Sequence, residues 1–384
     1  MGGTQELSRS GILLTGTSRA FGCPSKYIQG PGEFLNVFKY GSRFGNRFLF
    51  LIDSGVYDII LEKIESVEDK CGCSYEVMSF LGECCMENVA ELAEAARKFD
   101  SNVLVGIGGG KVLDIAKLLA DETDMSRIIV PTSASSDAPA ADWAAVYTRE
   151  GVHISGRPTR RSTELVLVDS EIIVNAPARL FSAGIGDALA TWFEAKACLD
   201  ACTPNCIGPY RSCRVGTAVS RECYNILRED GLSALRAVKA HIVTPAVENV
   251  IEANILLSGL GFINGGLAGS HGFHNGFSNI PGCKKYLHGE VVAFGLICQL
   301  CLENAAPAEI NDLLQFLHDS DLPVTLEQIG IECSEENLET IVEHTLNHNI
   351  LIHHEPVPVN KKILKAAIID ADKLGRDFME NLGK

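Results

Sequence analysis

Three histidines and one aspartate carry the spacing of a metal site. His271-Gly-Phe-His274 puts two imidazoles three apart on one helix face, and His288-Gly-Glu290 follows a Gly/Pro/Lys loop and starts another helix. Asp187 ends the stretch Phe181-Ser-Ala-Gly-Ile-Gly-Asp187, which reads as a turn capped by Ser182 that leads at once into an apolar helix. A carboxylate at the mouth of an apolar helix is costly unless a positive charge compensates it. Two imidazoles and a carboxylate leave a coordination position for water or substrate, as a catalytic zinc site needs. Spacing alone does not say which two of His271, His274 and His288 bind. A lone His at a helix start is more often a cap or a surface residue; the combination with Asp187 is what points to a metal. His344, His348, His353 and His354 form a second group. It reads as a helix end and loop, because only the neighbouring Glu355 offers it a carboxylate.

A second chemistry lies upstream. Gly106-Ile-Gly-Gly-Gly-Lys111 follows an apolar run and opens a helix. The GxGxxG pattern fails, because Lys111 stands at its third glycine. Walker A fails too, with Val105 at its first glycine and Val112 where Ser or Thr should hold magnesium. The physical parts of a phosphate cradle are still there: unencumbered backbone N–H groups at a helix N-terminus, with a Lys beside them. That context favours phosphate binding over a bare glycine turn. Asp53 ends an earlier apolar run. A carboxylate there can accept both ribose hydroxyls and would repel a 2′-phosphate, which favours NAD over NADP; alone, a strand-terminal Asp is often a turn residue. Pro131-Thr-Ser-Ala-Ser-Ser-Asp137 follows another apolar run, at the sheet edge where ligands bind in open α/β folds.

These residues need elements to position them. Arg47–Asp53, Ser74–Phe80, Asn102–Ile107, Arg127–Pro131 and Glu164–Asp169 read as buried strands. Helical patterns over 55–67, 87–99 and 110–121 alternate with them at βαβ spacing. A parallel sheet with helices on both sides follows. Beyond Pro177 nearly everything has helical period. The predicted organisation is an α/β nucleotide-binding domain over 1–176 and a helical metal-binding domain over 177–384, with the active site in the cleft between them.

The totals narrow the class. The 384 residues carry 33 Lys plus Arg against 49 Asp plus Glu, a net charge of −16, which argues against nucleic acid or an anionic membrane as partner. No run of eighteen apolar residues predicts a transmembrane helix. The N-terminus lacks a signal pattern, and Met1–Glu6 has Glu where a myristoylation motif wants Ser or Thr. Fourteen cysteines without a signal peptide predict reduced thiols and a cytoplasmic setting. Cys198, Cys202 and Cys206 recur every four residues, yet small buried hydrophobes are favoured over a metal cluster. Apolar helices in the second domain predict a homo-oligomer.

Four segments together resemble a known family. Gly108-Gly-Gly-Lys-Val-Leu-Asp114-Ile-Ala-Lys117, Pro131–Pro139, Gly184-Ile-Gly-Asp187-Ala-Leu-Ala-Thr191-Trp-Phe-Glu194, and His271–Gly276 with His288–Glu290 are similar to glycerol dehydrogenases of the iron-type alcohol dehydrogenase superfamily. The likeness covers almost the whole chain and implies the dehydroquinate synthase-like architecture of that superfamily. By position it implies metal ligands Asp187, His271 and His288, with His274 nearby. It implies NAD contacts at Asp53, Gly109, Gly110, Lys111, Asp114, Thr132, Ser135 and Tyr147, and substrate contact at Asp137. Where the iron-dependent branch has a fourth ligand, a His, this chain has Thr191, so an open three-ligand zinc site is expected. The implied activity is hydride transfer between NAD and a polyol or vicinal diol. A dehydroquinate synthase-like NAD/zinc lyase and a non-catalytic NAD-binding protein are the alternatives. The chain departs from the family at Ala140-Ala-Asp-Trp-Ala144, where Thr/Cys-Ser-Ala-Leu-Ser is usual. The resemblance puts the Trp143 ring close to the expected nicotinamide and substrate.

Overall fold

Strand Arg47–Asp53 shows how the first part of the chain folds. Phe48, Phe50 and Ile52 face one core; Leu49 and Leu51 face another. A strand buried on both faces belongs to a covered parallel sheet. The computed structural model describes residues 17–67 and 72–382; Met1–Glu6 and Cys71 lie outside them. The strands are β1 (Arg19–Ala20), β2 (Tyr27–Gly30), β3 (Arg47–Asp53), β4 (Ser74–Phe80), β5 (Val103–Gly108), β6 (Ser126–Pro131), β7 (Trp143–Tyr147), β8 (His153–Pro158), β9 (Leu165–Asp169) and β10 (Arg211–Ser212). Six of them form a parallel sheet in the order β2-β9-β6-β5-β3-β4. From β3 the chain steps outward to β4, then returns to β5 on the other side. The carboxyl ends of β3 and β5 therefore flank a topological switch point, the place where open α/β sheets bind ligands. Strands β7 and β8 form a separate antiparallel hairpin, and β1 pairs with β10.

Packing divides the chain into two compact units. One holds Cys23–Ala188 and Asn225–Gly259; the other holds residues to Gly22, Leu189–Tyr224 and Leu260 onward. The first contains the sheet, with Tyr57–Ser66, Met86–Ala96 and Gly110–Thr123 among its helices. Among the described residues the second is helical apart from β1 and β10. Its central helix, His288–Leu302, is apolar on every side and buried almost throughout.

Two local expectations change. The stretch Phe181–Asp187 is no turn: helix Ala178–Ala201 runs through it unbroken, and Ser182 is a buried interior residue rather than its cap. Gly184 is there for closeness. A Cβ on it would sit 1.8 Å from the Ala134 carbonyl oxygen. The chain also contains a helix, Pro245–Gly265, long and apolar enough to cross a membrane; 61% of its apolar window is buried inside the fold. It carries a π-helical stretch at Ala253–Leu257.

Candidate active site

The nucleotide-type residues collect at one end of the sheet. Strands β3, β5 and β6 are neighbours, with Ile52 opposite Ile107 and Gly108 opposite Pro131. Asp53, the glycine loop and Thr132 thus leave the sheet side by side. Gly108 has φ +155°, and a Cβ there would lie 2.7 Å from the Asp53 Cβ. Only glycine meets both demands. Asp53 Oδ1 accepts from the Gly55 N–H at 2.9 Å, so this residue is a turn cap as well as a candidate ribose acceptor. Gly109 precedes the first turn of Gly110–Thr123, and a Cβ on it would meet nothing within 4 Å. The first N–H groups of a helix have no intrahelical partner one turn back. The Lys111 ammonium pairs with Glu83 at 2.5 Å. The Thr132 N–H donates to the Gly108 carbonyl at 3.1 Å, and Ser133 and Ser135 share a hydroxyl contact at 3.1 Å.

Asp114 is placed differently from its neighbours. Its carboxylate is buried, 2.9 Å from the Lys117 ammonium and 2.9 Å from the Ala145 N–H. Lys117, fully buried, also donates to the carbonyls of Ala138 (2.5 Å) and Trp143 (2.8 Å). The pair clamps the segment from Ala138 to Ala145. Burial raises the Asp114 pKa, with the Lys117 charge opposing it. Tyr147 is pushed up to about 12, by burial first and then by Asp114, Glu83 and Cys84, so its phenol stays protonated.

The segment departing from the family is self-contained. The Trp143 ring lies over Gly156 of β8, where an added Cβ would come within 2.1 Å of it. Asp142 takes the Ser162 hydroxyl at 2.6 Å and the Thr163 N–H at 3.3 Å. Both side chains serve the hairpin and its exit. Asp137 accepts the Ser258 hydroxyl at 2.9 Å. Just before it in sequence, the π-helical stretch turns Asn254 toward the carbonyls of Ala134 (3.0 Å) and Phe181 (3.4 Å). Such bulges recur at functional sites.

The metal-type residues converge as well. Asp187 stands on Ala178–Ala201, a continuous helix whose residues from Leu189 on belong to the helical unit. His271 lies in the first turn of Gly269–Phe277, and His288 opens His288–Leu302. Asp187, His271 and His288 each offer a ligand atom, and these atoms lie within 4.8 Å of one another. Asp187 is 1% exposed. A carboxylate so buried demands a compensating cation, and two imidazoles beside it complete a donor set of the right chemistry for a divalent metal. Among the described residues no other group of three or more such side chains assembles, neither Cys198, Cys202 and Cys206 nor the histidines from 344 to 354. His274 stands behind His288, its Nε2 3.0 Å from the His288 Nδ1.

One essential member escaped sequence reasoning. Glu194 is fully buried, seven residues after Asp187 and so on the same helix face. Its Oε1 accepts the N–H groups of Ala268 and His271 at 2.9 Å, and its Oε2 takes the His271 Nδ1 at 2.7 Å. That contact puts the proton on Nδ1 and the lone pair, the one a metal could use, on Nε2. The i+7 spacing was the available signal.

The comparisons with known proteins show the family. A model of the iron-containing alcohol dehydrogenases matches residues 24–170. A glycerol dehydrogenase of Thermotoga maritima is 41% identical, over 92% of this chain and 96% of its own. A glycolaldehyde reductase of Halobacterium salinarum is 36% identical over 93% and 98%. The crystal structure of a probable glycerol dehydrogenase from Sinorhizobium meliloti superposes with TM-score 0.88 at 39% identity, covering 94% of this chain and all of that one. The chain belongs to the iron-containing alcohol dehydrogenase family. It is an alcohol dehydrogenase, and its relatives place it with the glycerol dehydrogenases of that family. Within such an enzyme Thr191, one turn after Asp187, is a packing residue. It is buried, and its methyl would lie 2.4 Å from a Cβ on Gly261.

Proposed function

We propose that this enzyme transfers hydride between NAD and a polyol or vicinal diol such as glycerol, and in reverse reduces the hydroxyketone, with a zinc ion held by Asp187, His271 and His288. The carrying observation is the convergence of those three ligand atoms, with Glu194 fixing the tautomer of one of them. Zinc is favoured over iron because the position after Asp187 that could add a fourth ligand is Thr191, packed against Gly261. When bound, the cation supplies Lewis-acid polarisation of the substrate hydroxyl, and the nicotinamide supplies the hydride acceptor.

The chain's own residues do the rest. Glu194 holds the His271 proton on Nδ1. Backbone N–H groups of Gly110 and Lys111 take the pyrophosphate, and Asp53 takes the ribose hydroxyls. Asp137, oriented by Ser258, accepts a hydroxyl of the substrate. Thr132, Ser135 and Tyr147 line the nucleotide, while Asp114 acts on it through the Ala138–Ala145 segment. In this reading residues 1–176 supply nucleotide binding and 177–384 the metal. A polyol presents two oxygens, which suits a site selective for vicinal diols.

The test is a panel of polyols, diols and hydroxyketones followed by NADH absorbance, on metal-stripped protein with zinc or iron restored. Zinc-restored turnover with vicinal diols is expected. Asp187→Ala should abolish turnover while NAD still binds. Full activity in a metal-free preparation of that variant would sink the assignment.

A further inference from the structure

The start of the His271 helix is capped by two buried acids. Glu194 takes the N–H groups of Ala268 and His271. Glu355 Oε1 takes the Gly269 N–H at 2.7 Å, and Gln299 Oε1 takes that of Ser270 at 2.9 Å. A helix N-terminus carries about half a positive charge, enough to favour one anion. Glu355 is 6% exposed, and its Oε2 is buried with no hydrogen-bond donor. The Glu303 carboxyl lies against it, itself accepting the Gln299 amide at 2.8 Å. Two carboxyl groups this close, Glu355 buried and Glu303 half-buried, repel one another unless a proton lies between them. The groups acting on Glu355 itself include no cation: Glu194 is a further acid, the Cys198 thiol is held protonated by burial, and the His354 Nδ1 is engaged by the Leu267 carbonyl at 2.8 Å, while Lys196 and Arg221 line the pocket that Glu303 reaches. Burial first, and then Glu303, push the Glu355 carboxyl up to about 9. The loop that carries it is fitted to the helix, since a Cβ on Gly272 would lie 3.2 Å from the Ile352 backbone.

We propose that Glu355 is a positioning residue for the metal site, seating the start of the His271 helix as a neutral acid that shares one proton with Glu303. Glu194 is then the single anion at that helix end, and it alone sets the His271 tautomer. The inference rests on the metal-site reading above.

The test uses the full chain stripped of metal, with Zn2+ as probe and affinity read by competition with a chromophoric chelator at about pH 7. Glu355→Ala should bind Zn2+ about tenfold more weakly, the low end of losses from removing outer-shell partners, while Glu355→Gln, isosteric and neutral, stays within about threefold of the parent. A second arm reads the shared proton without metal. A carboxyl whose folded pKa is raised keeps its proton where the unfolded chain has lost it, so stability falls as pH rises from the ordinary range toward the folded value. Between about pH 5 and about pH 9 the Tm of the stripped parent should therefore fall relative to Glu355→Gln. Zn2+ affinity unchanged in Glu355→Ala, or lost equally in Glu355→Gln, overturns the proposal, as does a Tm difference that ignores pH. Should the Ala variant not fold, the Gln variant decides by the same two readings. A parent chain that takes up no Zn2+ refutes the metal-site reading itself, and the Tm arm still reports the shared proton.

Discussion

Glu194→Gln separates the orientation of the metal ligand from the integrity of the fold. In the parent, one carboxylate oxygen receives two backbone N–H groups and the other receives the His271 Nδ1. A glutamine has one acceptor oxygen and one NH2 group. Two N–H donors outweigh one, so the amide oxygen stays at the helix start and the NH2 group faces His271. Donor against donor is repulsive, and the imidazole answers by moving its proton to Nε2, the atom that must ligate. The lost contact is a hydrogen bond to an ionised acceptor, worth about 1.5–3 kcal/mol. At about 1.4 kcal/mol per tenfold, Zn2+ affinity should drop about 10- to 100-fold. The fold should lose little, because the two backbone donors keep their acceptor. The assay is chelator competition for Zn2+ beside a thermal melt of the metal-free protein. A variant that binds Zn2+ as tightly as the parent would show that Glu194 does not set the tautomer. A variant that loses affinity only in step with a collapsed Tm would show that its role is packing.

Two further outcomes follow from the nucleotide-binding half. Gly108→Ala forces a Cβ to 2.7 Å from that of Asp53 at φ +155°; it should cost about 1–3 kcal/mol of stability in urea and, by displacing Asp53, weaken NADH binding in a fluorescence titration. Lys117→Met strands the buried Asp114 carboxylate and frees the carbonyls of Ala138 and Trp143. Breaking a buried pair costs about 3–5 kcal/mol, so a urea midpoint equal to the parent's would refute the clamp.

What the sequence made legible was periodic. Strands such as Arg47–Asp53 and Ser126–Pro131 are apolar runs bounded by turn residues, and their parallel order follows from the helices between them. His271 and His274 share one helix and His288 starts another, as read. Glycine was the main source of error, because it has two uses. Gly184 and Gly186 looked like a turn before Asp187, yet the helix begins at Ala178. Gly184 lacks a side chain so that the Ala134 carbonyl and the Asn254 amide can approach it. Local propensity cannot distinguish a glycine that bends the chain from one that admits a neighbour 70 residues away. The same limit applies to Gly156, which accommodates the Trp143 ring from a hairpin strand with no apolar alternation to announce it.

The polar members followed a different logic. Asp187, His271 and His288 are visible because metal ligands are chemically distinctive. Glu194, Gln299, Glu303 and Glu355 are common residue types whose meaning depends on what their oxygens meet. Glu194, Gln299 and Glu355 are set by the four N–H groups that begin one nine-residue helix, and Glu303 by the Gln299 amide, a demand that exists only once that helix is folded. The His271 helix therefore imposes its requirements on three distant segments, around residues 194, 299 and 355. In the proposed reading the metal site depends on all of them, which is why altering Glu194 should disturb metal binding without disturbing any ligand residue.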